Sequence, residues 1–149
     1  MLISLKNYWD SDAVKSLLAE CMWADDQRVN EELKRYLAAE GCELFGCFIN
    51  GELAGITGIS CAAAHEVEIR HLAVQKNWRG RTIGSNMIAE ISGWEQVELL
   101  KAETDQDAVG FYSKAGFEIH SLGEKYPGVE RFECVLRTRG TTDISKSSH

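Results

Sequence analysis

The chain has 149 residues, a formal net charge of −7, 44% apolar and 26% charged residues, enough for one domain with a real core and too little for two. No run of eighteen apolar residues exists and Met1-Leu2-Ile3-Ser4 is short and lacks the basic flank of a secretory signal, so neither a membrane span nor an export signal is expected. The acidic balance argues against a nucleic-acid binder, and five cysteines without paired metal spacing read as buried or free thiols of a cytoplasmic protein, with no metal site expected.

In chain order, Leu2 to Leu5 reads as a short strand. Asp10 or Ser11 then caps a helix with Val14, Leu17, Leu18, Cys21 and Met22 on its apolar face. Asp25-Asp26 opens a second helix, with Val29, Leu33, Tyr36 and Leu37 inward, Glu31, Glu32, Lys34 and Arg35 outward, and Gly41 at its end. Leu44 to Ile49, Asn50-Gly51 and Glu52 to Ser60 form a hairpin pattern, because Asn-Gly supplies the positive φ angles of a two-residue turn. Val67 to Val74 is a further strand. Beyond the glycines that follow it, Ile83, Met87, Ile88, Ile91 and Trp94 share one helical face.

Val97 to Ala102 reads as a strand closed by Glu103-Thr104-Asp105. Asp105 is placed to cap a helix in which Ala108, Phe111, Tyr112 and Ala115 share a face and which stops at Gly116. Phe117 to Ser121 and Arg131 to Leu136 read as a last antiparallel pair, with a loop from Gly123 to Gly128 between them. Residues 139–149 are polar and aperiodic, a frayed tail beyond a single domain over 1–138.

The chemistry concentrates after Val74. A strand leading through Gly80 and Gly84 into a helix start leaves several N–H groups aimed one way, and Arg79 and Arg81 flank them. That is a nest for phosphate oxygens. A tight turn is the plainer reading, and the loop matches neither the P-loop nor the dinucleotide fingerprint. Residues 1–66 hold eleven acidic and five basic side chains, whereas residues 67–91 hold two acidic and four basic. The basic stretch suits a small anion. The acidic half either attracts a cationic amine or is a solvated surface.

Ala73-Val74 followed by Arg79-Gly80-Arg81-Thr82-Ile83-Gly84, and Tyr112-Ser113-Lys114-Ala115-Gly116-Phe117 further on, resemble the two signatures of the GNAT superfamily of N-acetyltransferases. The resemblance implies an α/β fold with a mixed, mostly antiparallel sheet, splayed at its centre and flanked by helices. It also implies direct acetyl transfer from acetyl-CoA to a primary amine, and leaves a homodimer open. Under it, Leu72, Ala73 and Val74 pair with the pantetheine arm, Arg79 to Ser85 hold the diphosphate, and Asp105 stands near the arm where the family often has Asn. Thr82 replaces the middle glycine, so the loop is expected to fit without positive φ there.

Tyr112 resembles the general acid, since a tyrosine with its usual pKa near ~10 stays protonated at neutral pH; the competing reading is a core residue packed on Phe111. Glu68 is the candidate base, with His65, Glu66 and His71 as competitors, a water chain as an alternative, and an ion pair with Arg70 as the structural reading. No cysteine sits where its pKa would fall. A non-catalytic acyl-CoA-binding module on the same fold is the second reading.

Overall fold

The computed structural model describes residues 1–22, 25–38 and 41–138, the side chains of Ala62, Lys125 and Tyr126 excepted. The expected tail, 139–149, lies outside the described residues. The fold is mixed α/β, with seven strands and four helices among the described residues: β1 (Leu2–Ser4), α1 (Ser11–Cys21), α2 (Asp26–Ala38), β2 (Cys42–Ile49), β3 (Glu52–Ala63), β4 (Glu66–Val74), α3 (Ile83–Ser92), β5 (Leu99–Asp105), α4 (Val109–Lys114), β6 (Glu118–Tyr126) and β7 (Val129–Arg137). None of these helices is long and apolar enough to cross a membrane. Contacts divide the described residues into two compact units, the first within 1–61 and 69–90, the second within 62–68 and 91–138.

In the first unit, β1, β2, β3 and the end of β4 lie side by side in chain order, with β1 and β3 antiparallel to β2. The hairpin turns at Asn50 and Gly51, both at positive φ (53° and 82°), as their residue types require. The Asp10 carboxylate caps α1 by accepting the Ala13 N–H at 3.1 Å, and Asp25 does the same for Arg28 N–H at 3.0 Å ahead of α2. Val14, Leu17 and Leu18 of α1 and Val29, Leu33 and Tyr36 of α2 pack with Leu5, Leu44, Leu53, Ile56 and Ala73 into one core. A fully buried side chain such as Leu18 contributes about 1.5–3 kcal/mol. Ile83, Met87 and Ile88 bury the expected face of α3. That helix lies close on β3, because a Cβ at Gly55 would stand 3.0 Å from Met87 Cε.

Two assignments on α2 are corrected. Leu37, expected inward, is exposed, and Glu32, expected outward, is buried. The helix turns its Glu32–Tyr36 edge toward β4, where polar partners await it.

In the second unit, β7 lies between β5 and β6 and is antiparallel to both. Val97, Leu100, Ala102, Tyr112, Phe117 and Cys134 are buried in it. The loop expected from Gly123 to Gly128 is mostly strand: β6 continues to Tyr126 and turns only at Pro127 and Gly128. Register shifts between Ser121 and Gly123 and between Glu124 and Tyr126 absorb the irregular residues. The helix expected from Asp105 begins later, at Val109, and β5 runs on through Asp105.

Gly58 has no room for a side chain, since a Cβ there would lie 2.1 Å from the Tyr36 hydroxyl. Gly58→Ala is therefore expected to lower unfolding stability by about 1–3 kcal/mol, the usual cost of overpacking, read as a lower urea midpoint at unchanged slope. An unchanged midpoint would mean that Tyr36 does not press on this strand.

Candidate active site

The segment 75–85 joins β4 to α3. Gln75 N–H donates to the Ala54 carbonyl (2.7 Å) and Trp78 N–H to the Gln75 carbonyl (2.8 Å), which anchors the single 3₁₀ turn Lys76–Trp78 to β3. Gly80 follows at φ 80° and Thr82 at φ 63°. The expectation of an ordinary φ at residue 82 is thus corrected: a β-branched residue takes the left-handed conformation here. Such a residue in the left-handed region costs on the order of 1–2 kcal/mol. Its hydroxyl is spent locally, donating to the Arg81 carbonyl at 2.5 Å.

The first bond of α3 runs from Asn86 N–H to the Thr82 carbonyl (2.8 Å). The amides of Ile83, Gly84 and Ser85 therefore have no acceptor within the helix. Left-handed residues at 80 and 82 precede this helix start, a backbone arrangement of the kind that binds anions, whereas the Trp78 and Arg79 N–H groups already donate to the Gln75 and Lys76 carbonyls. Gly80, Arg81, Thr82 and Ser85 are exposed, Gly84 half-buried, and Ile83 buried as the loop's anchor. Two buried polar atoms at the same turn, Gln75 Oε1 and Trp78 Nε1, lack partners among the described residues.

The two loop arginines are held differently. Arg79 Nε donates to the Val74 carbonyl at 3.0 Å, and its Nη2 pairs with the Glu20 carboxylate of α1. Arg81 lies over the Trp78 ring, its Cζ 5.2 Å from the centroid. On β4, Leu72 and Val74 are half-buried and Ala73 is buried.

Upstream on β4, sequence reasoning missed a cluster shared with α2. Glu32 pairs with Arg70 at 3.2 Å and with Arg35 at 3.3 Å, so Arg70 is drawn to α2 rather than to Glu68. The Tyr36 hydroxyl stands 2.5 Å from His71 Nδ1. Burial raises the Tyr36 pKa well above its usual value, with the Arg70 charge acting against the rise. Tyr36 is therefore the donor and His71 Nδ1 the acceptor. Burial also lowers the His71 pKa, the nearby Glu32 charge opposing.

The other competitors for the base are engaged as well: Glu66 with Lys101 at 3.7 Å, and His65 Nδ1 with the Gln96 carbonyl at 2.9 Å. Glu68 is half-buried. Burial pushes the Cys21 and Cys134 thiols up to about 11, so neither is poised as a nucleophile.

In the second unit, Tyr112 is buried, edge-on to Phe111 (5.1 Å) and to Phe117 (5.2 Å). The core packing expected of it as an alternative is present. One Asp105 carboxylate oxygen accepts the Ala108 N–H at 3.1 Å and so orders the turn into α4. Glu103, not singled out from the sequence, receives Arg131 Nε at 3.1 Å.

The family model for the acetyltransferase (GNAT) domain matches residues 34–119, more than half the chain and both signature segments. The chain belongs to the GNAT acetyltransferase family. It is 27% identical over 142 residues to the N-alpha-acetyltransferase RimI of Mycobacterium tuberculosis, across 91% of this chain and 90% of that one. Among solved structures it resembles a GNAT family acetyltransferase from Elizabethkingia anophelis with acetyl-CoA bound, at 17% identity and TM-score 0.67, covering 92% of this chain and 97% of that chain. It also resembles a Bacillus subtilis acetyltransferase in complex with CoA, at 18% identity and TM-score 0.67, covering 91% and 97%.

Two predictions follow from the geometry. Thr82→Gly should relieve the backbone and raise stability by about 1 kcal/mol, seen as a higher melting temperature; a lower one would show that the hydroxyl bond outweighs the strain. The second concerns pH. His71 is held neutral by the fold, so its contribution to stability is complete above the unfolded value of ~6.5 and is lost as the pH falls through the lowered folded value. The wild-type melting temperature should therefore drop more than that of His71→Gln between pH 7.5 and pH 5. Parallel curves would show that His71 does not titrate in that window.

Proposed function

We propose that this chain is an acetyl-CoA-dependent N-acetyltransferase acting on a primary amine, carried by residues 1–138 as one domain. The observation that supports it most is the amide nest opened by positive φ at Gly80 and Thr82 ahead of α3. It is a cradle shaped for a diphosphate, on the stretch the family model covers.

In this reading the backbone N–H groups of Gly80, Arg81, Thr82, Ile83, Gly84 and Ser85 receive the diphosphate, the Arg79 N–H being already donated to the Lys76 carbonyl. Leu72, Ala73 and Val74 pair with the pantetheine arm as an added strand would. Asp105 has one oxygen committed to Ala108, and its other oxygen is our acceptor for an amide of the arm. Acetyl-CoA supplies the acetyl group as a thioester.

The Val74 N–H is the donor we assign to the thioester oxygen, where a fixed dipole stabilises developing charge. The attacking amine must be neutral, and Glu68, directly or through water, takes its proton. Tyr112 gives a proton to the departing thiolate. The likeness to an N-alpha-acetyltransferase makes a peptide α-amine the first acceptor to try. With a pKa of about 7.7–8.0, such an amine asks less of a base than a lysine side chain at about 10.4.

Release of coenzyme A over a panel of peptide and small amines tests the proposal. Binding of acetyl-CoA without release would favour the non-catalytic module instead. Within the enzyme reading, Tyr112→Phe should lower turnover about 10- to 1000-fold with acetyl-CoA affinity retained. Unchanged turnover would remove Tyr112 from the chemistry and leave it as a core residue.

A further inference from the structure

The cluster that joins α2 to β4 takes no part in the mechanism above, yet it fixes where one ring carries its proton. We infer that His71 is a donor and not a base: its Nε2–H, held in that tautomer by Tyr36, donates to a backbone carbonyl of a peptide acceptor. The inference rests on the N-acetyltransferase reading above and narrows its acceptor from amines in general to peptides.

The tautomer follows from what surrounds Nδ1. The Tyr36 hydroxyl stands 2.5 Å from that atom, and the Arg70 charge beside the phenol oxygen turns the hydroxyl proton toward the ring. A neutral imidazole that accepts at Nδ1 carries its one proton on Nε2. An Nε2–H has no lone pair to offer an ammonium ion, so His71 takes no proton from the amine while the Tyr36 bond stands. The base is then Glu68 or water. Tyr36 is the positioning residue, and Gly58 lets it approach, because a Cβ there would meet the phenol. The backbone is fixed as well: the buried Thr57 hydroxyl donates to the His71 carbonyl at 3.1 Å.

Nε2 itself is available. It has no hydrogen-bond partner among the described residues and is not sealed from solvent. Charge decides what it can take. Glu32 and Arg70 act on the ring in opposite senses, and Arg35 sets a second cation on the same carboxylate at 3.3 Å. Two guanidinium groups against one carboxylate leave the cluster net positive, which repels the distal ammonium of a polyamine and accepts a neutral amide. The spacing agrees. His71 lies three residues before Val74 on β4, about 10 Å along the strand, a span that roughly three residues of extended peptide cover. A peptide with its α-amine at the Val74 end thus brings one of its first carbonyls to Nε2.

Two measurements on the full chain test this. In nitrogen–proton correlation spectra of the imidazoles at neutral pH, His71 should show a single Nε2–H tautomer, which Tyr36→Phe should turn into a mixture. An Nδ1–H tautomer in the wild type would overturn the inference. The second measurement uses trialanine amide and analogues in which one carbonyl at a time is a thiocarbonyl, a weaker acceptor. One analogue should show a wild-type KM about three- to tenfold above the parent, the size of one hydrogen bond, at similar kcat. His71→Ala should raise the parent KM by a like factor and erase that discrimination, since both changes remove the same bond. His71→Gln keeps an N–H donor and should restore part of it.

A fall in kcat of about 100-fold or more in His71→Ala, at unchanged KM, would make His71 the base. Thiocarbonyl and His71→Ala effects that simply add would place the carbonyl elsewhere. Either result, or turnover of 1,4-diaminobutane in preference to the peptide, would overturn this inference alone. No coenzyme A release with any amine would overturn the N-acetyltransferase reading and this inference with it.

Discussion

The passage from β4 to α3 is the constraint on which the first unit turns. The strand must end, reverse through a single 3₁₀ turn, and deliver the chain to a helix whose apolar face is already assigned to the core by Ile83, Met87 and Ile88. Two left-handed residues, at 80 and 82, accomplish this. Glycine takes the first at no steric cost, whereas threonine takes the second under strain. A strained loop persists only where its surroundings over-determine it. Here they do, through the Asn86 bond to the Thr82 carbonyl, the Thr82 hydroxyl on the Arg81 carbonyl, and close packing of Met87 over Gly55. The same backbone path that satisfies the core leaves the first amides of α3 without an acceptor inside the helix.

The uneven charge along the chain has a structural use. The acidic first half does not simply face solvent. Glu20 reaches Arg79 and Glu32 reaches Arg70, so acids on α1 and α2 are spent on the cations of β4 and its loop. The exposed Glu20 pair contributes little stability, on the order of 0–1 kcal/mol. The Glu32 carboxylate is nearly buried, and leaving it without Arg70 would cost more than forming the pair gains. Its value is positional: with the Tyr36 bond to His71 it sets the register of α2 on β4. The residue count alone therefore overstates the unpaired negative charge of that half.

What the sequence made legible is what local chemistry dictates. The Asp10 cap, the Asn50-Gly51 turn, the buried face of α3 and the run from Arg79 into a helix start each follow from a few adjacent residues. What it hid depends on partners far along the chain. Glu32 looks like an outward helix residue until Arg70, 38 positions away, claims it. Residues 123–126 look like a loop until β7 pairs with them across two register shifts. Thr82 misled for a different reason: propensity puts a β-branched residue at negative φ, and the demand of the helix entry overrides it.

The second signature shows how a family motif can be a folding device before it is a chemical one. Gly116, at φ 100°, ends α4 with the Phe117 N–H on the Tyr112 carbonyl (3.0 Å) and its own N–H on the Ser113 carbonyl (3.1 Å). The Phe117 ring closes against the Tyr112 ring at 5.2 Å. This double-bonded helix stop, with its accompanying apolar contact, explains Tyr-x-x-x-Gly-Phe without reference to any substrate. The carbonyl and the ring of Tyr112 are what this helix stop uses. Recognising the motif therefore identifies the turn, and the chemical role proposed for Tyr112 needs support from turnover rather than from the motif.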